Sequence, residues 1–169
     1  MALPSKLKNF NLFNDGNNYL GKVSEITLPK LTRKVEEWRG GGMDTGVEVD
    51  MGGELIILEW TAGGLLDTAL KQFGATAADA AALRFAGAYQ RDDDGGVDAV
   101  EVIVRGRHKE IDLGNAKPGD TTAHKFTTTC SYYRLDINGT TVIEIDALAM
   151  VFNVGGVDRL AEQRRALGV

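Results

Sequence analysis

The stretch 28–52 constrains this chain more than any other. It reads Leu-Pro-Lys-Leu-Thr-Arg-Lys-Val-Glu-Glu-Trp-Arg-Gly-Gly-Gly-Met-Asp-Thr-Gly-Val-Glu-Val-Asp-Met-Gly. Leu31, Arg33 and Val35 alternate with Thr32, Lys34 and Glu36, and Val47, Val49 and Met51 alternate with Glu48 and Asp50. A two-residue period is that of an extended strand with two unlike faces. Gly40, Gly41, Gly42 and Gly46 separate the arms and tolerate backbone angles that other residues resist. The connection is too long for a two-residue turn, so the pattern predicts a long hairpin with a projecting loop. Such a hairpin offers strands to other chains. Nothing in it has the makings of a catalytic pocket.

The rest of the chain alternates in the same way. Phe10, Leu12 and Tyr19 anchor a short extended segment that turns at Asn14-Asp-Gly-Asn17. The second hairpin arm runs on through Glu54–Trp60, with a bend or bulge at Gly52 and Gly53. Strands are predicted at 83–91, 97–111, 123–137 and 141–152, separated by turns at 92–96, 115–119 and Asn138-Gly139. The Asn-Gly pair is the strongest hairpin signal in the chain. Between the first hairpin and this meander, Leu65, Leu66, Ala69, Leu70 and Phe73 share a helical face, which predicts a helix over 62–74 ended by Gly74. The alanine-rich stretch 75–82 fits a helical turn or a loop equally. The tail 156–168 reads as a second short helix, with Asp158 at its start and Arg164 and Arg165 near its end. The fold class is therefore mainly β: a single domain over 1–169, an antiparallel sandwich or barrel with about two short helices and a long hairpin.

At 169 residues and 43% hydrophobic, the chain can bury a core without staples. Its net charge of −5 argues against a surface that grips nucleic acid, though not against a wall that nucleic acid slides past. The one cysteine, Cys130, excludes an internal disulfide, fits a reducing compartment and suits a buried strand position. No apolar run has the length of a signal peptide or a membrane span.

Chemistry-bearing patterns are scarce. His108 and His124 have no carboxylate or cysteine at metal-ligand spacing. Asp92-Asp93-Asp94-Gly95-Gly96 invites a calcium reading but lacks the alternating ligands and closing Glu of such a loop, so a solvated turn fits better. Gly40-Gly41-Gly42 is followed by a strand, not a helix, which excludes a phosphate cradle. The basic cluster Arg105-Gly-Arg-His-Lys109 is expected at a strand end, as a solvated patch or a subunit salt-bridge site, since Glu110 and Asp112 dilute it. Tyr132 and Tyr133, adjacent in a strand, face opposite ways. No enzyme emerges, and no metal or cofactor is called for.

Leu12-Phe-Asn-Asp-Gly16, Thr27-Leu-Pro-Lys-Leu31, Glu37-Trp-Arg-Gly-Gly-Gly-Met43 and Val49-Asp-Met-Gly52 carry a family resemblance. It continues through Tyr132-Tyr-Arg-Leu135 and the closing Gly156-Val-Asp158 to Leu167-Gly168. In this order along nearly the whole chain, they resemble the major tail tube proteins of contractile-tailed phages, P2-like tubes and R-type pyocin tubes among them. Thr45-Gly46 departs from the pattern, which has a proline before the valine.

The resemblance implies a homo-oligomer: six-fold rings stacked into a hollow tube, with strands of neighbouring subunits joined into a continuous β-barrel around the lumen. It implies a tail sheath around the outside, a baseplate or tube initiator, a tape-measure protein and a tail terminator as partners. DNA would meet the chain only in transit, and no stable membrane association is implied. The protein would be assembled in the bacterial host cytoplasm and reside in a virion tail or tail-like particle, without catalysis. On this reading 31–39, 47–58 and at least one strand from 97–137 face the lumen. The loop of Gly40, Gly41, Gly42, Met43, Asp44 and Thr45 reaches the neighbouring ring, and Glu36, Glu48, Asp50 and Glu54 make the wall acidic and repel phosphate. The same carboxylates could instead be ordinary solvated groups, or pair with Lys30, Arg33 and Lys34 across subunits. Alternative readings are a tube protein of a type VI-like injection system and a small β-sandwich binding module. The second would need a concave aromatic site, whereas Trp38 and Trp60 both lie in the hairpin arms.

Overall fold

The computed structural model describes residues 1–169. Strands β1 (Lys6–Asn14) and β2 (Asn17–Asn18) meet at a turn in which Asp15 and Gly16 both take positive φ. Strand β3 (Val23–Thr27) leads into β4 (Arg33–Trp38), which pairs with β5 (Val47–Gly53). Strand β6 (Ile56–Ala62) returns along β3. After the short helix α1 (Asp67–Leu70) comes a meander of β7 (Ala81–Gln90), β8 (Val97–Asp112), β9 (His124–Ile137) and β10 (Thr140–Asp146). Strands β11 (Val151–Val154) and β12 (Val157–Asp158) and helix α2 (Ala161–Leu167) complete the chain.

Ten strands form one antiparallel sheet in the order β12-β11-β10-β9-β8-β7-β1-β2, with β6 branching onto β9 and β3 onto β6. The branch arises because β8 and β9 are long enough to serve two layers. Val97–Arg105 and Tyr132–Ile137 lie in the wide layer with β7 and β10, while Gly106–Asp112 and His124–Cys130 lie in the narrow layer with β6. The register shifts between Arg105 and Gly106, where Ser131 is the extra residue on β9. At this bulge the alternation changes phase. Phe126, Thr128 and Cys130 point inward before it and Tyr133 after it. Gly106 permits the approach, since a Cβ there would lie 2.1 Å from the Thr129 carbonyl oxygen.

Between the layers lie Leu12, Leu58, Trp60, Leu83, Phe85, Val104, Phe126 and Tyr133. Trp60 stacks on Phe126 with centroids 4.1 Å apart, worth about 0.5–1.5 kcal/mol beyond its area burial. Cys130 is buried here and its thiol is pushed up to about 12 by that burial, so it is inert.

The helix expected over 62–74 is one turn, because β6 continues through Ala62 and Gly63-Gly64 break away from it. Leu66 and Ala69 are buried, but Leu65 and Phe73 are exposed rather than facing the core. A polar network holds the turn in place. Gln72 exchanges two hydrogen bonds with buried Asn14 (2.8 and 2.9 Å) and accepts one from His108 Nε2 at 2.9 Å. The Thr128 hydroxyl lies 2.8 Å from His108 Nδ1, and the Tyr19 hydroxyl lies 2.5 Å from Thr68. Burial favours the neutral imidazole, and with Nε2 donating to Gln72 that leaves Nδ1 to accept from Thr128.

Two further expectations are corrected. Residues 141–152 form two strands, because Asp146 Oδ1 accepts the Leu148 and Ala149 N–H groups and Met150 takes a positive φ, turning the chain. The tail helix starts at Ala161, since Val157–Asp158 first adds a strand to β11; Gly168 closes the helix in the left-handed region. The turns at 92–96 and Asn138-Gly139 are as expected.

Gly106→Ala must displace backbone at the bulge. We expect a loss of about 3 kcal/mol, read as a lowered denaturant midpoint with little change in slope. Burial lowers the His108 pKa, opposed in part by the Asp15 carboxylate. The unfolded chain therefore takes up a proton, near pH 6.5, that the folded chain resists. Stability is fully present above about pH 6.5 and declines as pH falls towards the lowered folded value. In thermal unfolding from pH 7.5 to 5, His108→Gln should flatten that decline.

Candidate assembly surface

Strands β4 and β5 form a separate two-stranded ribbon, joined to β3 and β6 by the short links 28–32 and 54–55. The Glu54 N–H donates to the Thr32 carbonyl at 2.9 Å and links ribbon to body. All of β4 and nearly all of β5 are exposed. An isolated two-stranded ribbon is marginal in water, so this one lacks a layer.

Register divides its side chains. Trp38 stands opposite Val47 and Glu36 opposite Val49, while Glu37 stands opposite Glu48 and Val35 opposite Asp50. Residues directly opposite share a face. One face therefore carries Trp38, Val47, Val49 and Glu36, and the other Val35, Glu37, Glu48 and Asp50. Trp38 is 62% exposed, whereas the other tryptophan, Trp60, is 1% exposed. The alternation in the sequence thus produces an apolar face with no partner within the chain.

On the charged face, Arg33 grips both Asp50 carboxylate oxygens, at 2.8 and 2.9 Å. This hydrogen bonding, helped by the Gly52 N–H, holds the Asp50 carboxyl below its usual range. Arg33 also lies 5.0 Å from the centre of the Phe152 ring, tying the ribbon to β11. Gly52 (φ +110°) lies in the register shift on β5. Glu37 and Glu48 place like charges directly opposite, which weakens a ribbon standing alone. Of the four carboxylates singled out in the sequence, Glu48 and Asp50 share a face, Glu36 lies on the apolar one, and Glu54 lies in the link to the body.

The tip is ordered by its own polar groups. Met43 N–H donates to the Gly40 carbonyl, the Arg39 guanidinium donates to the Met43 carbonyl at 3.0 Å, and Gly40 N–H points at Met43 sulfur. Gly41 and Gly42 lie at the turn, and Asp44 and Thr45 are exposed beside it.

The wide sheet has a second uncovered face. On it Arg84 pairs with Glu101 (3.0 Å) and Arg134 with Asp136 (3.2 Å). Arg105 lies over the Tyr132 ring, whose hydroxyl donates to Glu144. The basic cluster 105–109 is mid-strand in β8, not at its end, and only His108 of it turns fully inward. Sequence patterning missed the Arg84–Glu101, Arg105–Tyr132–Glu144 and Arg33–Phe152 contacts, because each joins residues from different strands.

No group of acidic, histidine and cysteine side chains could hold a metal ion, and no helix is long and apolar enough to cross a membrane. A family model described as phage tail tube protein FII matches residues 4–168. The tail tube protein of Escherichia phage P2 is 46% identical over 172 residues, covering 100% of both chains. The major tail tube protein of Serratia phage KSP20 is 39% identical over 159 residues, covering 92% of this chain and 91% of that one. Among solved structures, the fold is similar to a chain of the extended sheath–tube complex of PVC, an extracellular contractile injection system. The TM-score is 0.59 at 7% identity, over 79% of this chain and 91% of that one. A chain of the six-fold symmetrised baseplate of the anti-feeding prophage is similar at a TM-score of 0.54 and 12% identity, over 80% of this chain and 97% of that one.

The two tryptophans are predicted to separate by quenching. Trp38→Phe should remove the acrylamide-accessible fluorescence and Trp60→Phe the protected part; equal accessibility would contradict an unpacked ribbon face.

Proposed function

This chain belongs to the phage tail tube family, and from that premise we propose how it builds a tube. It is a tail tube protein of contractile-tailed phages, and its place is the virion tail. Its work is structural: copies associate into an oligomeric tube. We take the closed unit to be a six-fold ring, with rings stacked into a hollow conduit and neighbouring strands continuing one barrel around the lumen. A heterologous contact repeated around a rotation axis closes without leaving a free edge.

The observation that carries this reading is the ribbon β4–β5, whose apolar face and strand edges have no partner inside the chain. Trp38, Val47 and Val49 are already about half covered, so burying the remainder against a neighbouring copy would supply on the order of 1 kcal/mol for each. The face of Glu37, Glu48 and the Arg33-paired Asp50 then turns to the channel, where the negative charge of Glu37 and Glu48 keeps passing phosphate from adhering. The Gly40–Thr45 tip reaches the adjacent ring. A sheath surrounds the tube, a baseplate component initiates it and a terminator ends it. A tape-measure protein and then DNA occupy the lumen, and the subunit performs no catalysis and needs no cofactor.

The test is negative-stain electron microscopy of the purified chain across a concentration range, alone and with its baseplate complex. Hollow tubes with six-fold end views are expected. Deleting Gly41–Thr45 should leave a folded subunit that gives rings or short stacks. Long tubes from the deleted chain would refute the role of the tip.

A further inference from the structure

The wide sheet has two ends, and the chain closes them by different means. At one end β12 covers Asn153 and Val154 of β11, and the Phe152 carbonyl accepts the Arg159 N–H at 2.7 Å. Main chain seals that edge. At the other end β1 has β2 beside it only at Phe13 and Asn14, so Lys6–Leu12 forms an outer edge.

The Leu12 carbonyl accepts the Tyr19 N–H on the side away from β7. In an extended strand the N–H of a residue points to the same side as its carbonyl, and so does that of the residue two before it. The N–H groups of Leu12 and Phe10 thus point out of the sheet. Both are occupied by side chains. Phe10 donates to Asn9 Oδ1 at 2.9 Å and Leu12 to Asn11 Oδ1 at 2.8 Å. Asn11 is held in turn, its amide donating to Asn18 Oδ1 at 2.9 Å, where the Leu20 N–H also donates. Lys8 adds a charge to this edge, tethered to Asp92 at 3.0 Å. The ribbon has no such cover. In β3, β4 and β5 only the Gly52 N–H bonds a side chain, that of Asp50.

We infer that Asn9 and Asn11 close the β1 edge to a second copy of this chain, so that strand pairing between copies is left to the edges without such cover, those of β3, β4 and β5 and the Arg107–Asp112 end of β8. The inference rests on the tube reading above and adds a regulatory device to it. Exposed N–H groups on a sheet edge template pairing with any similar strand. Asparagine satisfies them locally while leaving the strand in its sheet. Side-chain capping suits a subunit that must stay soluble until assembly yet carry open edges elsewhere.

The test uses the full chain with Asn9→Ala and Asn11→Ala together. Hydrogen exchange in dilute solution should speed up about fivefold at the Phe10 and Leu12 amides, the equivalent of one lost net hydrogen bond each. Sedimentation velocity and negative-stain microscopy should show non-tubular association that the native chain lacks. Unchanged exchange and unchanged association would overturn the inference. So would equal aggregation of Thr128→Ala, an interior variant, at matched thermal stability, because lost stability would then explain the result. Tubes from the native chain with no change in the double variant would remove the guard and leave the tube reading standing. Non-tubular association of the double variant, with no native tubes even on a baseplate, would do the reverse.

Discussion

The Thr129 carbonyl oxygen lies where a side chain at position 106 would begin, and the fold is arranged around that close approach. Because Gly106 has no Cβ, β8 and β9 shift register there and each serves two layers. The wide layer takes its width from β7, β1, β10 and β11 on either side of this pair, and the narrow layer is β6 and β3 added to its other half. The Trp60–Phe126 stack fills the space between them. α1 needs only one turn to plug the open side, since Gln72 reaches Asn14 and His108 in the interior.

A closed body makes the ribbon conspicuous. Within the body, the inward faces of the two layers bury a common core, and the wide sheet's edges are covered by β12 at one end and by asparagine side chains at the other. In the ribbon, Trp38, Val47 and Val49 stay exposed, Glu37 faces Glu48, and the edges are open. An element that costs free energy alone but has an ordered tip and a tether at Arg33–Asp50–Phe152 is preorganised for a partner. Its rigidity comes from the body, and in the assembly proposed above its missing layer comes from another copy. This division of labour suits a subunit whose work is contact with its own kind.

Much of this was legible in the residues. The alternation across 31–36 and 47–51 marked the ribbon, Asn138-Gly139 and Asp92–Gly96 marked their turns, and the split of Tyr132 from Tyr133 followed from strand geometry. The failures share a cause. Five apolar residues at helical spacing over 65–73 implied a full helix, but Gly63-Gly64 and the pull of Gln72 into the core left one turn. A mostly apolar run over 141–152 hid a turn made by one aspartate side chain. The four hairpin carboxylates looked like a set until pairing divided them between faces.

By itself the sequence determined what is local: period-two strands, glycine and asparagine turns, a single inert cysteine, the lack of a metal or nucleophile pattern, and a family likeness spread along the chain. These depend on a residue and its near neighbours. Only the tertiary structure decided which strands share a layer, which face of the ribbon is apolar, and which sheet edges are closed. Those properties turn on register across the sheet. A single extra residue such as Ser131 reverses every side chain beyond it, and no local pattern records that reversal.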